Sequence, residues 1–93
     1  MAEFLVELYV SRGDAAAVES GVESARRAAD ELTREGTPVR YLRSIFVPDD
    51  ETCFFLYEAD KADDVIEATR RADLPFERIA EALAGRTGAA ECP

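Results

Sequence analysis

The chain has 93 residues, of which 20 are acidic and 11 are basic, so its net charge is −9. This length predicts a single domain with a modest core, which dimerisation would help to stabilise. The acidic balance disfavours nucleic-acid binding, and the absence of histidine excludes histidine ligands, histidine general bases and Ser-His triads. The sequence shows no leader segment and no long apolar run, so we expect a cytoplasmic protein that does not bind membranes.

Residues 3–10 alternate in polarity, as a half-buried strand does. The even-numbered residues are all apolar. The odd-numbered residues are mixed in character and are Glu3, Leu5, Glu7 and Tyr9. Residues 14–35 then predict a long helix, because apolar positions recur every three or four residues and Gly36 follows as a stop. The arginines of this helix fit either a solvated helix face or an anion site, and we favour the solvated face.

Residues 38–58 predict a β-hairpin, since two runs of β-branched and aromatic residues flank a Pro-Asp-Asp-Glu turn. A register symmetric about Asp49 and Asp50 places Arg43 opposite Leu56 and Tyr41 opposite Glu58. The sheet face that carries Tyr41, Arg43 and Glu58 is the more polar one. Of the two cysteines, Cys53 falls mid-strand as a small buried residue, and no disulfide framework is indicated.

The remaining chain predicts a second helix from a cap at Asp60 to Ala72, ended by Leu74-Pro75. Residues 76–83 have helical spacing, but the sheet lacks a strand, so we expect a helical turn at 75–78 followed by a strand at 79–83. Residues 85–93 lack periodicity and predict a flexible tail after a domain of residues 1–84. This βαββαβ order predicts a ferredoxin-like α+β fold, with a four-stranded antiparallel sheet and two helices on one face.

Two stretches carry a resemblance to a known family. The hairpin has Ser44, Cys53 and Tyr57-Glu58-Ala59, and residues 71–79 read Arg-Ala-Asp-Leu-Pro-Phe-Glu-Arg-Ile. At this spacing the chain resembles the nickel-binding-protein-like family of small bacterial proteins, a domain of otherwise unknown function. The resemblance implies a homodimer whose two sheets face each other as an α/β barrel, and a metal role.

The family pattern often carries histidines, one just before the hairpin serine and one at the start of the Ala-Arg-Arg-Ala run. This chain has Arg43 at the first place and Ala68 or Thr69 near the second. Nickel prefers imidazole among neutral ligands, so we expect no cofactor, with nickel as the alternative. The acidic turn at Asp49-Asp50-Glu51 is too short for a coordinating cage, and no metal site is predicted there.

The polar face of the sheet is the expected ligand site. Glu58 and Glu7 are the candidate catalytic residues, and Arg43, Tyr41 and Tyr9 are the candidate ligand-binding residues. In this interpretation Arg43 holds an anionic or carbonyl oxygen, a glutamate moves a proton, and a tyrosine orients the ligand. The alternative is that Arg43 and Glu58 form a cross-strand ion pair that fixes the dimer register.

The sequence therefore predicts a small dimeric protein that binds an unidentified ligand between its two sheets. Its expected partners are a second copy of itself and that small molecule. A cofactor-free acid–base enzyme of the isomerase or cyclase type, using Glu58 or Glu7 with Arg43, is the first alternative. A nickel-binding protein, as the resemblance implies, is the second.

Overall fold

The computed structural model describes residues 1–83, and its elements follow the order βαββαβ. The elements are β1 (Ala2–Tyr9), α1 (Ala15–Arg34), β2 (Val39–Val47), a 3-10 turn (Pro48–Asp50), β3 (Thr52–Ala59), α2 (Ala62–Arg71) and β4 (Phe76–Ala82). The strands form one sheet in the order β2-β3-β1-β4, with antiparallel neighbours throughout. The predicted ferredoxin-like α+β fold is confirmed. The predicted tail, residues 85–93, lies outside the described residues.

The core lies between the two helices and one face of the sheet. The central strands supply the largest buried side chains, among them Val6, Phe55 and Tyr57. Helix α1 approaches this face with small residues, among them Gly21, at which a Cβ would lie 3.0 Å from Phe55 Cζ. Such an approach is possible only because glycine has no side chain. Within the described residues neither helix is long and apolar enough to cross a membrane.

Both helices end in the same motif. At the end of α1, Gly36 has φ 104° and the Thr37 amide donates to the Leu32 carbonyl at 2.9 Å. At the end of α2, Asp73 has φ 58° and the Leu74 amide donates to the Thr69 carbonyl at 3.2 Å. These are Schellman endings, in which the residue after the cap adopts a left-handed conformation. An aspartate at that place in α2 carries a steric cost that Gly36 does not.

The helix starts differ from each other. Ser11 and Asp14 are both residue types that cap helices, and the structure uses Asp14, whose carboxylate accepts from the Ala17 amide at 3.2 Å. The predicted cap at Asp60 is wrong, since the helix begins one residue later and its N-cap, Lys61, makes no side-chain cap hydrogen bond. Helix α2 is therefore stabilised mainly by the face that it buries, which includes Val65 and Ala68.

Strand β4 resolves the ambiguous segment at residues 76–83. The predicted strand is confirmed, but the predicted helical turn at 75–78 is wrong, because pairing with β1 already begins at Phe76 opposite Leu8. A bulge shifts the register between Glu7 and Leu8, so that Ile79 pairs with Val6. The extra residue puts Phe76 and Ile79 on the same sheet face at a spacing of three, which imitates a helical period.

A second bulge lies in β2 at Leu42. Beyond it the register is as predicted, with Arg43 opposite Leu56. Before it the pairing slips by one residue, so that Tyr41 lies opposite Tyr57 and Arg40 lies opposite Glu58. Because successive strand residues point to opposite faces, this slip moves Tyr41 to the helix side of the sheet. The predicted pairing of Tyr41 with Glu58 is therefore wrong.

Candidate functional site

The sheet face turned away from the helices, called the open face below, is the predicted site. Cross-strand pairing arranges its side chains in four rows. In the order β2, β3, β1, β4 these rows are Arg40–Glu58–Glu3–Ala82, Arg43–Leu56–Leu5–Ala80, Ile45–Phe54–Glu7–Arg78 and Val47–Thr52–Tyr9. The open face thus has an apolar centre with charged side chains around it.

The apolar centre of the open face is incompletely covered. Ile45 is 46% exposed, and Leu5, Phe54 and Leu56 are half-buried. On the opposite face the corresponding residues of the central strands are buried, for example Phe55 at 0%. The two faces therefore differ as the alternation in the sequence predicted, with one face in the core and one face mixed.

Glu58 forms an ion pair with Arg40, whose Nη1 lies 3.0 Å from Glu58 Oε1. The predicted alternative, a pair between Glu58 and Arg43, is wrong, because the bulge at Leu42 brings Arg40 opposite Glu58. The Glu58 side chain is 26% exposed but that of Arg40 is 68% exposed, so solvent screens this pair on the arginine side.

Glu7, the other candidate catalytic residue, pairs with Arg78 of β4, whose Nε lies 3.0 Å from Glu7 Oε1. No pattern in the sequence marks Arg78, because residues 76–83 fit either a helix or a strand and the register of such a strand depends on its pairing with β1. Glu7 and Glu58 lie two rows apart on neighbouring strands, which separates their Cα atoms by roughly 14 Å. The two carboxylates are thus held apart, each by its own arginine, rather than as one acid–base pair.

Arg43 and Tyr9 are also on the open face. Arg43 is exposed in the row of Leu56 and Leu5, and it makes no ion pair with any carboxylate of residues 1–83. Tyr9 is 56% exposed in the last row, roughly 20 Å from Glu58 at the other end. The fold therefore brings Glu7, Arg43 and Glu58 onto one surface, with Tyr9 at its margin.

Tyr41, the fifth candidate, lies on the helix side. Its ring makes edge contacts with Phe55 and Tyr57, each at 5.8 Å between ring centroids. The Arg26 guanidinium of α1 lies 6.0 Å from the centroid of the Tyr41 ring. This distance suits a cation–π contact, so the bulge at Leu42 gives Tyr41 an arginine of α1 as its neighbour.

Two open cavities, of about 400 and about 210 Å³, lie along the boundary between α1 and β2 beside this contact. Arg26 borders both. The larger cavity, called the α1–β2 cleft below, is lined by Val18, Glu19, Val22, Glu23, Arg26 and Ser44. No periodicity in the sequence distinguishes Arg26 from the other arginines of α1, because only the bulge in β2 explains the position of its neighbour Tyr41.

The buried titratable groups have structural roles. Burial raises the pKa of the Cys53 thiol, so Cys53 is not an activated nucleophile. Burial also raises the pKa of Tyr57. Thr69 donates its own hydrogen bond to the Val65 carbonyl at 2.8 Å, and the Tyr57 hydroxyl has no partner among the described residues.

The donor set does not fit a nickel site. Residues 1–83 contain no group of three or more His, Cys, Asp or Glu side chains that could hold a metal ion. At the position where the family resemblance places a histidine, Arg43 offers only nitrogen donors that carry protons. Two carboxylates of the open face are paired with arginines instead, Glu58 with Arg40 and Glu7 with Arg78.

The fold and the open face define a small ferredoxin-like α+β domain, which is the class that the comparisons with known proteins support. Residues 4–82 match the model of the family described as nickel responsive protein SCO4226-like, so the chain belongs to this family and the predicted resemblance is confirmed.

A solved structure similar to this chain is the crystal structure of SCO4226 from Streptomyces coelicolor A3(2), with a TM-score of 0.67 and 17% sequence identity. The match covers 91% of this chain and 100% of that one. At this identity the likeness supports the fold alone. The search of curated proteins found no match.

Proposed function

We propose that the protein is a homodimer whose open faces pack against each other, and that a small ligand binds between the two sheets. The observation that carries this proposal is the apolar centre of the open face, with Ile45 46% exposed and Leu5, Phe54 and Leu56 half-buried around it. An antiparallel sheet with apolar residues on both faces gains stability when its second face is also covered.

Charge supports a second copy of the same chain as the covering partner. The open face carries three arginines (Arg40, Arg43, Arg78) and three glutamates (Glu3, Glu7, Glu58), so its formal charge is zero. The whole chain has a net charge of −9, which the remaining surface must therefore carry. Two copies repel each other least when they meet through their neutral faces.

The size of the open face is compatible with such a dimer. Four strands about 4.8 Å apart and about eight residues long have a projected area of roughly 500 Å². The accessible area exceeds the projection because side chains stand out from the sheet. Each partner therefore approaches the roughly 800 Å² that a standard stable interface buries on each side.

Arg43 supports a ligand between the sheets. In the dimer its guanidinium would be removed from water beside Leu56 and Leu5, and a charge in such a place requires an anionic or carbonyl partner. Arg40 and Arg78 have internal carboxylate partners, whereas Arg43 has none within residues 1–83. In this proposal the Arg43 guanidinium donates hydrogen bonds to an oxygen of the ligand, while Glu58 and Glu7 stay paired with Arg40 and Arg78.

Native mass spectrometry of the purified protein tests the ligand. We expect a dimer mass with an additional small molecule, and Arg43→Gln should lose that molecule while the dimer persists. Arg27→Gln, which removes an exposed arginine of α1, is the matched control and should keep both. A wild-type dimer without any bound molecule, or equal ligand retention in the two variants, would refute the ligand part of the proposal.

A further inference from the structure

The α1–β2 cleft lies on the helix side of the sheet, so an inference from it is independent of the proposed function. Its central feature is the position of Arg26. This residue has Glu23 one turn before it and Asp30 one turn after it on α1, at spacings that favour ion pairs. It nevertheless makes no ion pair with any carboxylate of residues 1–83, and its guanidinium lies over the Tyr41 ring instead.

The Arg26 guanidinium keeps its N–H donors available for a ligand. Its carbon lies 6.0 Å from the centroid of the Tyr41 ring, and its side chain makes no hydrogen bond within residues 1–83. Tyr41 is itself held by edge contacts with Phe55 and Tyr57, both of which are fully buried. Arg26 also borders a cavity of about 400 Å³, so a ligand there has an unused guanidinium beside it.

The lining of this cavity selects the chemistry of a ligand. Arg26 offers two parallel donors, which suit a carboxylate. Glu19 and Glu23 line the same cavity, so a polyanion such as a phosphate would be repelled there, whereas an ammonium group would be attracted. Val18 and Val22 add an apolar surface for a short side chain.

We infer that the α1–β2 cleft binds a small α-amino acid with an apolar side chain. The carboxylate of the amino acid pairs with Arg26, its ammonium group lies toward Glu23 and Glu19, and its side chain packs on Val18 and Val22. The bulge at Leu42 is the structural device that makes this possible, because it moves Tyr41 under Arg26.

The test is a calorimetric titration of the full chain with leucine, valine and phenylalanine. Isocaproate is leucine without its ammonium group, isoamylamine is leucine without its carboxylate, and glycine lacks the side chain. We expect saturable binding of leucine and roughly tenfold or more weaker binding of all three analogues, with valine and phenylalanine showing how the side chain changes the affinity. No saturable binding up to about 10 mM, or isocaproate binding as tightly as leucine, would overturn the inference.

Two variants of neighbouring residues complete the test. Arg26→Gln should weaken leucine binding roughly tenfold or more, whereas Arg27→Gln should leave it unchanged. Arg26→Lys retains the charge but loses the two parallel N–H donors of the guanidinium. Its affinity for leucine should therefore lie between those of wild type and Arg26→Gln. Thermal melts establish that each variant is folded, and equal affinities of Arg26→Gln and Arg27→Gln would contradict the assignment.

Amide chemical shifts separate this site from the one between the sheets. Leucine should shift the resonances of Val22, Arg26 and Ser44 while those of Leu5 and Leu56 stay in place. Shifts at Leu5 and Leu56 alone would overturn the cleft assignment and leave the sheet-face proposal standing.

Discussion

Replacement of Gly21 by alanine tests the core packing that holds Tyr41 beside Arg26. The added Cβ would lie 3.0 Å from Phe55 Cζ, 3.4 Å from Phe55 Cε2 and 3.4 Å from Leu74 Cδ2. A distance of 3.0 Å is tighter than nine in ten real Cβ contacts, so Phe55 must shift by a few tenths of an ångström. Phe55 is fully buried and contacts the Tyr41 ring, so it has little room to move away from α1.

Two effects of opposite sign decide the outcome. Alanine in place of glycine inside a helix gains about 1 kcal/mol of helix propensity. Overpacking of a tight core costs about 1–3 kcal/mol. Because Phe55 is fixed on both sides, we expect the overpacking cost to win, and Gly21→Ala should lower the free energy of unfolding by up to about 2 kcal/mol. For a domain of this size each kcal/mol shifts the melting temperature by about 4–8 °C.

Urea denaturation and thermal melts followed by circular dichroism measure this effect. Gly13→Ala is the control, because nothing lies within 4 Å of a Cβ at that position, and its stability should stay within about 0.5 kcal/mol of wild type. If Gly21→Ala is as stable as wild type or more stable, Phe55 can move, and the Tyr41 ring is not held as the argument for the cleft requires.

Three further predictions concern single side chains. Asp73 and Gly36 each end a helix at positive φ, which glycine adopts without steric cost. Asp73→Gly should therefore raise the free energy of unfolding by about 0.5–1 kcal/mol, and Gly36→Ala should lower it by a similar amount. Urea denaturation in which both variants change the free energy of unfolding in the same direction would contradict this. Tyr57→Phe should keep stability or raise it by up to about 1 kcal/mol at neutral pH, because it removes a buried hydroxyl without a partner in the described residues; a clear loss would show a hidden hydrogen bond. Since burial raises the pKa of Tyr57, wild type but not Tyr57→Phe should lose stability from that group as pH rises above about 10. The hydrogen bond from Arg71 lowers the pKa of Glu35, so the stability from this pair is present at neutral pH and is lost as pH falls below about 4.5. Glu35→Gln should therefore show a smaller drop in melting temperature on acidification than wild type, and parallel curves would refute this.

The sequence predicted the fold because its two strongest signals agree with each other. The alternation in residues 3–10 and in the hairpin separated a buried face from a mixed face, and the structure has the same division. The placement of Glu7, Arg43 and Glu58 on one surface follows from this alternation and from the strand order. These positions could be predicted because successive residues of a strand point to opposite faces wherever the hydrogen bonding between strands is regular.

The errors occur where the ladder is irregular. At Leu42 an extra residue reverses the side on which the preceding residue lies, so Tyr41 was assigned to the wrong face and Arg40 was overlooked as the partner of Glu58. In β4 another extra residue gave Phe76 and Ile79 a helical spacing. Neither bulge contains a glycine that would mark it in the sequence. The position of each bulge is determined by pairing with the neighbouring strand, which the local sequence does not encode.

Sedimentation equilibrium of the wild-type protein over a range of concentrations shows whether two open faces pack against each other. We expect a species of twice the 10.2 kDa chain mass. Ile45→Asp should convert it to the single-chain mass, whereas Ser20→Asp, which adds the same charge to an exposed position of α1, should not. A wild-type mass of 10.2 kDa at every concentration would refute the proposed dimer.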